Sequence, residues 1–332
     1  MSYTFRAILP TLCLALILPC ALPVMAADPE PANDKPAEPA VERAPLLPRT
    51  QEDALALEGR LPAADQQQLQ AGDSTFLALW KPANTEDPKG AVIIIPGADE
   101  SADAPGAVGP LRRKFPDIGW ASLSLTLPDQ QADYSQAREV EAAPADAGTA
   151  DKSQEAPKAA APSEADVAAA AAAAAEKQAA AETARAAAAE EQAKAQAEQI
   201  FARFDSAISF AQQNKARSIV LLGHGSGAYW AARYLSERQA PLVQKLVMLT
   251  AREPLDIKPL LIDLVPSLKV KTADFVYKEQ TVARNAAQER LRVSKRKKGP
   301  GFNQITLTAI PGNSAAEQEQ MFRRVRGWVE AE

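Results

Sequence analysis

Residues Gly223-His224-Gly225-Ser226-Gly227 fall one position short of a reactive motif. In G-x-S-x-G the middle serine sits on a sharp strand-to-helix turn with its hydroxyl exposed. It attacks an acyl carbon once an imidazole takes its proton and backbone amides hold the oxyanion. Here the middle residue is Gly225, which has no side chain, and the serine follows one place later as Ser226. Ser226 falls on the first helical turn and reads as a capping or packing residue, with an atypical nucleophile as the alternative. His224 is the chain's only histidine. It directly precedes the turn and reads as a structural residue beside the strand end, because adjacent residues on such a turn rarely face each other. One histidine, and cysteines confined to Cys13 and Cys20, leave no imidazole or thiolate set for a metal. No phosphate loop or dinucleotide fingerprint is present, so no cofactor is expected.

The flanking sequence predicts what holds this turn. Ser218-Ile219-Val220-Leu221-Leu222 reads as a buried strand and Ala228 to Leu235 as a helix. Upstream, Thr75–Trp80, Ala91–Ile95 and Gly119–Leu127 read as strands, and Val108–Phe115 as a short helix. Downstream, Lys245–Thr250, Ser267–Thr272 and Gln304–Ile310 read as strands, with a helical stretch over 276–292. The last helix places Met321, Phe322, Val325, Trp328 and Val329 on one face. Unbroken β-branched runs alternating with helices predict an α/β fold, a mostly parallel sheet flanked by helices on both faces.

The ends and the middle differ in composition. Residues 1–26 read as a secretory signal. Arg6 supplies the positive charge, Ala7–Leu18 the apolar run, and Val24-Met25-Ala26 the small residues before a cut ahead of Ala27. The expected product is periplasmic or secreted, and not an integral membrane protein after cleavage. Loss of the leader takes the formal net charge from −5 to −6, because Arg6 is its only charged residue. A mildly acidic chain argues against nucleic acid as a partner. Residues 27–50, rich in Pro, Ala and Glu, read as a disordered tether, and 51–73 carry only a weak helical pattern. Residues 130–199 read as a low-complexity insertion, helical from about 163, where alanine dominates and neither Gly nor Pro interrupts. The helix is expected to continue through Ile200, Phe201, Phe204 and Ile208, which form an apolar stripe. The alanine segment lacks the large side chains of a leucine-type coiled coil, and reads as a solvated insertion or as a partner-binding arm. The hydrolase-like domain is expected over 51–129 and 200–332. Lys295-Arg296-Lys297-Lys298 is the one basic cluster, read as a solvated loop or as a contact for an anionic envelope component.

In element order the chain resembles the α/β-hydrolase superfamily. More narrowly it resembles a secreted α/β-hydrolase-like family of unknown function from Gram-negative bacteria. The resemblance rests on Gly119-Trp120-Ala121-Ser122-Leu123-Ser124-Leu125-Thr126-Leu127-Pro128-Asp129, on the Gly-His-Gly-Ser-Gly-Ala run, and on Phe302-Asn303-Gln304 before the last strand. It implies a nucleophile at position 225, an acid after the strand ending near Thr272, with Asp274 the nearest carboxylate, and a histidine in Pro311-Gly312-Asn313-Ser314. That last segment has none. It also implies an oxyanion loop at Pro96-Gly97-Ala98-Asp99, with donors at Gly97 or Ala98 and at the Ser226 amide, where the helix N-terminus favours an anion. The expected function is a non-catalytic binding or envelope-associated protein for a small-molecule or envelope ligand, with an esterase-like hydrolase using Ser226 as the alternative.

Overall fold

The computed structural model describes residues 47–129, 164–255, 257–297 and 301–331. The signal, most of the tether and the start of the insertion lie outside them. The elements run α1 (Arg49–Arg60), β1 (Gln66–Ala71), β2 (Ser74–Lys81), β3 (Gly90–Ile95), α2 (Val108–Lys114), β4 (Trp120–Leu125), α3 (Glu164–Gln213), β5 (Ile219–His224), α4 (Ser226–Glu237), β6 (Val243–Leu249), α5 (Leu261–Leu264), β7 (Lys271–Tyr277), α6 (Thr281–Arg296), β8 (Phe302–Leu307) and α7 (Ser314–Glu330). Among the described residues one eight-stranded sheet forms, in the order β1-β2-β4-β3-β5-β6-β7-β8. The two pairs made by β2, with β1 and with β4, are antiparallel, and all pairs from β4 to β8 are parallel.

Alternation within the parallel strands explains why they read as unbroken apolar runs. Ile93, Ile95, Leu221, Leu246 and Met248 pack on the face covered by α3 and α4. Val92, Ile94, Val220, Leu222, Val247, Leu249 and Phe275 pack on the other face with Leu111 of α2 and Val325 of α7. Both faces of these strands are covered, so nearly every buried strand position is apolar.

The long helix joins these layers. Its C-terminal part seats Ile200, Phe201, Phe204 and Ala207 fully buried. Phe201 and Phe204 meet the Tyr234 ring edge-on at centroid distances of 5.5 and 5.3 Å. The Tyr234 hydroxyl donates to Asp205 at 2.5 Å. Upstream the side chains described over 178–192 are all exposed. At about 1.5 Å per residue, the 50-residue helix is about 75 Å long.

The structure corrects the sequence reading in three places. The weak helical pattern over 51–73 is the helix α1 followed by a strand, β1, that was not expected, and α1 begins inside the segment read as tether. The polar run Gln66-Gln67-Gln68-Leu69-Gln70-Ala71 carries no strand propensity, and is held by its pairing with β2. The strand expected over 267–272 is β7, displaced to 271–277, and the helix expected from 276 begins at Thr281. Lys269-Val270-Lys271 mimics a half-buried strand, whereas the true strand contains a buried aspartate that strand propensity disfavours.

Phe204→Ala should cost about 3–5 kcal/mol, because it empties a fully buried aromatic site. Ala184→Gly in the exposed half of α3 should lower the far-UV helical signal and leave the denaturant midpoint nearly unchanged. Chemical denaturation and circular dichroism of both variants check the contrast.

Candidate functional site

The elbow forms as expected, for steric reasons. A Cβ on Gly223 would lie 2.4 Å from the Ala228 Cα, and one on Gly227 would lie 2.4 Å from the Ile95 carbonyl oxygen. Only glycine lets α4 start this close to β5 and β3. Gly225 has φ +55° and ψ −124°, the strained geometry that presents a nucleophile. A Cβ there would meet nothing nearer than the Gly97 Cα at 3.7 Å. The turn thus keeps both the conformation and the room for a nucleophile, without one.

The neighbouring loop differs from expectation. The Ala98 N–H donates to the Ser226 Oγ at 2.8 Å, and the Gly97 N–H donates to the Glu100 Oε2 at 2.8 Å. The two loop amides expected to receive an oxyanion are therefore engaged by the protein's own side chains. Ser226 is nine-tenths buried and makes no cap bond on α4. It ties the helix to the loop, so the capping reading is replaced by a bridging one.

His224, half-buried, brings its Nδ1 to the Glu100 Oε2 at 2.6 Å. Burial works against the Glu100 charge. Hydrogen bonding and attraction from His224, the Gly97 N–H and Arg252 outweigh it and hold the carboxyl below its ordinary 4.5. Sequence reasoning missed Glu100. The only signal was a carboxylate three residues past the turn at Pro96-Gly97, and a lone glutamate in a polar loop does not stand out.

Asp274 is not a loop carboxylate. It lies within β7, fully buried, and pairs in register with Met248 and Gln304. Its Oδ2 accepts from Arg290 of α6, with Nε at 2.9 Å and Nη2 at 2.7 Å. Burial pushes its carboxyl up against the pull of Arg290. Its place is level with Gly223, two residues below the Gly225 apex, on the face opposite to Leu222 and Phe275 and so away from His224. The segment after β7 instead offers Glu279, exposed, whose carboxylate accepts from the Ala309 N–H and is held low by it. In the loop where a histidine is usual, Asn313 caps α7 by accepting from the Ala316 N–H at 3.0 Å.

Above Gly225 an open cleft of about 720 Å³ is bounded by the 97–100 loop, His224, Arg252, Tyr277 and Met321. Burial and a hydrogen bond to Glu317 push the Tyr277 phenol up, so it remains a donor at neutral pH. The cleft thus carries polar groups of both signs around an apolar patch.

The model of a family described as "Protein of unknown function (DUF3530)" matches residues 9–331. The chain belongs to this family. No curated protein matches it. Among solved structures, an esterase from Pyrococcus furiosus is similar at a TM-score of 0.51 and 12% identity, over 80% of this chain and 88% of the other. A dienelactone hydrolase from Anabaena variabilis is similar at 0.49 and 13%, over 79% and 98%. At such identity the likeness concerns the fold, which is that of the α/β hydrolases. Among the described residues, no helix is long and apolar enough to cross a membrane.

The depressed Glu100 pKa fixes a pH dependence. Its contribution to stability is present above the unfolded value near 4.5 and is lost as pH falls through the lower folded value. Glu100→Gln should flatten the stability profile below about pH 4.5 and leave it nearly parallel to wild type above, as read by denaturant titration at several pH values.

Proposed function

We propose that this α/β-hydrolase-fold chain is exported by its leader and binds a small ligand in the cleft above Gly225 without cleaving it. The observation that carries the reading is Gly225 itself, which holds the nucleophile's backbone geometry with no reactive atom. The closed loop amides and the Asn313 cap support it. Acyl transfer needs a nucleophile, a base and free oxyanion donors together. At this site the first has no atom, the position usual for the second is a helix cap, and the loop's share of the third is engaged internally. The remaining cleft still offers what a ligand site needs, a concave surface with a few fixed polar groups around apolar walls.

The competing reading is an esterase with Ser226 as nucleophile, motivated by the His224–Glu100 pair in the same cleft. A fluorophosphonate probe separates the two. The wild-type protein should not be labelled. Gly225→Ser should fold with a loss of about 1–3 kcal/mol, for a side chain on strained backbone, and should also stay unlabelled. Labelling of the wild type that disappears in Ser226→Ala would establish the esterase instead. Binding itself is read by thermal shift against acyl and phosphate esters. A ligand at a hundred times its Kd should stabilise the protein by about 2.7 kcal/mol, and no shift with any member of the panel counts against the reading.

A further inference from the structure

At the opposite end of the sheet from the elbow, a second cavity lies where β7 and β8 begin. It is about 210 Å³ in volume and walled by Val265, Leu268, Val270 and Phe302, with Lys295 and Lys297 from the end of α6 at its margin. The chain around it is cationic. Lys269 and Lys271 alternate with the wall residues Val270 and Thr272, and Arg296 lies between the two marginal lysines. All five cations (Lys269, Lys271, Lys295, Arg296 and Lys297) are accounted for by intervals of exposed or half-exposed chain. None pairs with a carboxylate among the described residues, although most other basic side chains of the domain do. Arg290, one turn earlier on α6, is held by Asp274 and points into the protein. The unpaired group begins only past it. In a chain of net charge −5, the four consecutive cations Lys295-Arg296-Lys297-Lys298, two of them at the margin of the apolar slot, are a local reversal of sign.

We infer that this end of the domain docks on a bilayer containing anionic phospholipid, with the lysines over the headgroup phosphates and the slot facing the acyl region. Two features select this occupant. A cluster of this size matches the four to eight basic residues that suffice for attraction to anionic lipid. An apolar recess inside the basic rim is what an amphiphile adds to a plain anion, since a free phosphate has nothing to place against Leu268 and Phe302. The placement is also consistent with the cleft. The elbow lies at the C-terminal ends of the strands and the slot at their N-terminal ends, so a docked protein keeps its cleft open to solvent.

Co-sedimentation with vesicles tests this, using full chains prepared identically as wild type and as Lys295→Glu/Lys297→Glu. Both positions are exposed, and equal unfolding midpoints verify the fold of the variant. Wild type should partition to phosphatidylcholine vesicles containing about a third phosphatidylglycerol and not to phosphatidylcholine alone. Binding should fall on the order of tenfold or more in the double variant, and as strongly when salt rises from 0.1 to 0.5 M. Inorganic phosphate at millimolar concentration should not displace the protein. Equal binding to neutral vesicles, binding indifferent to the two substitutions, displacement by phosphate, or no binding to anionic vesicles would each overturn the inference.

Discussion

The contact between α4 and the ends of β3 and β5 governs this molecule. Two absent methyl groups, at Gly223 and Gly227, let a helix begin within van der Waals reach of strand backbone. A side chain at either place would have to move backbone, and close-packed interiors resist that. Once α4 is seated there, its buried face of Tyr229, Trp230 and Tyr234 is fixed, and Tyr234 in turn receives Phe201 and Phe204 of the long helix. The same contact brings the Ser226 hydroxyl to the Ala98 amide. Sheet, helix layer and loop are therefore locked by one steric requirement that is independent of catalysis. The turn is held by packing, whatever its apex carries.

Most of the parallel sheet was legible because its strands are buried on both sides and so are uniformly apolar. The elbow was legible because glycine spacing has a backbone meaning. The edge was not. Nothing in Gln66-Gln67-Gln68-Leu69-Gln70-Ala71 favours a strand, and its structure comes from its partner across the hairpin. Asp274 misled for a related reason. A single carboxylate past an apparent strand end looks like a loop residue, and only the neighbouring helix shows that Arg290 meets it inside the protein. Pairings between elements distant in sequence leave no local pattern, and the Glu100–His224 and Ala98–Ser226 contacts, 124 and 128 residues apart, are of that kind.

The Asp274–Arg290 pair also shows why a buried charge is weak evidence of chemistry. Removing one member of such a pair strands the other in a poor dielectric, so folding alone is reason enough to keep both. The remaining Asp274 oxygen, Oδ1, has no partner among the described residues. The neighbouring Gln304 Nε2 is equally unpartnered, and the two residues are register partners across β7 and β8. The polar content of this part of the sheet is thus concentrated where the last two parallel strands meet.

The three glycines of the elbow are not equivalent. Positions 223 and 227 are closed to any side chain, whereas 225 is open to a depth of 3.7 Å. A serine hydroxyl at the apex would be opposed by backbone strain and not by packing. The loop at 311–314 differs in kind, because its Asn313 side chain is committed to capping α7. The apex of the turn could thus take a side chain without repacking its neighbours, whereas a change at Asn313 would also remove the cap of α7.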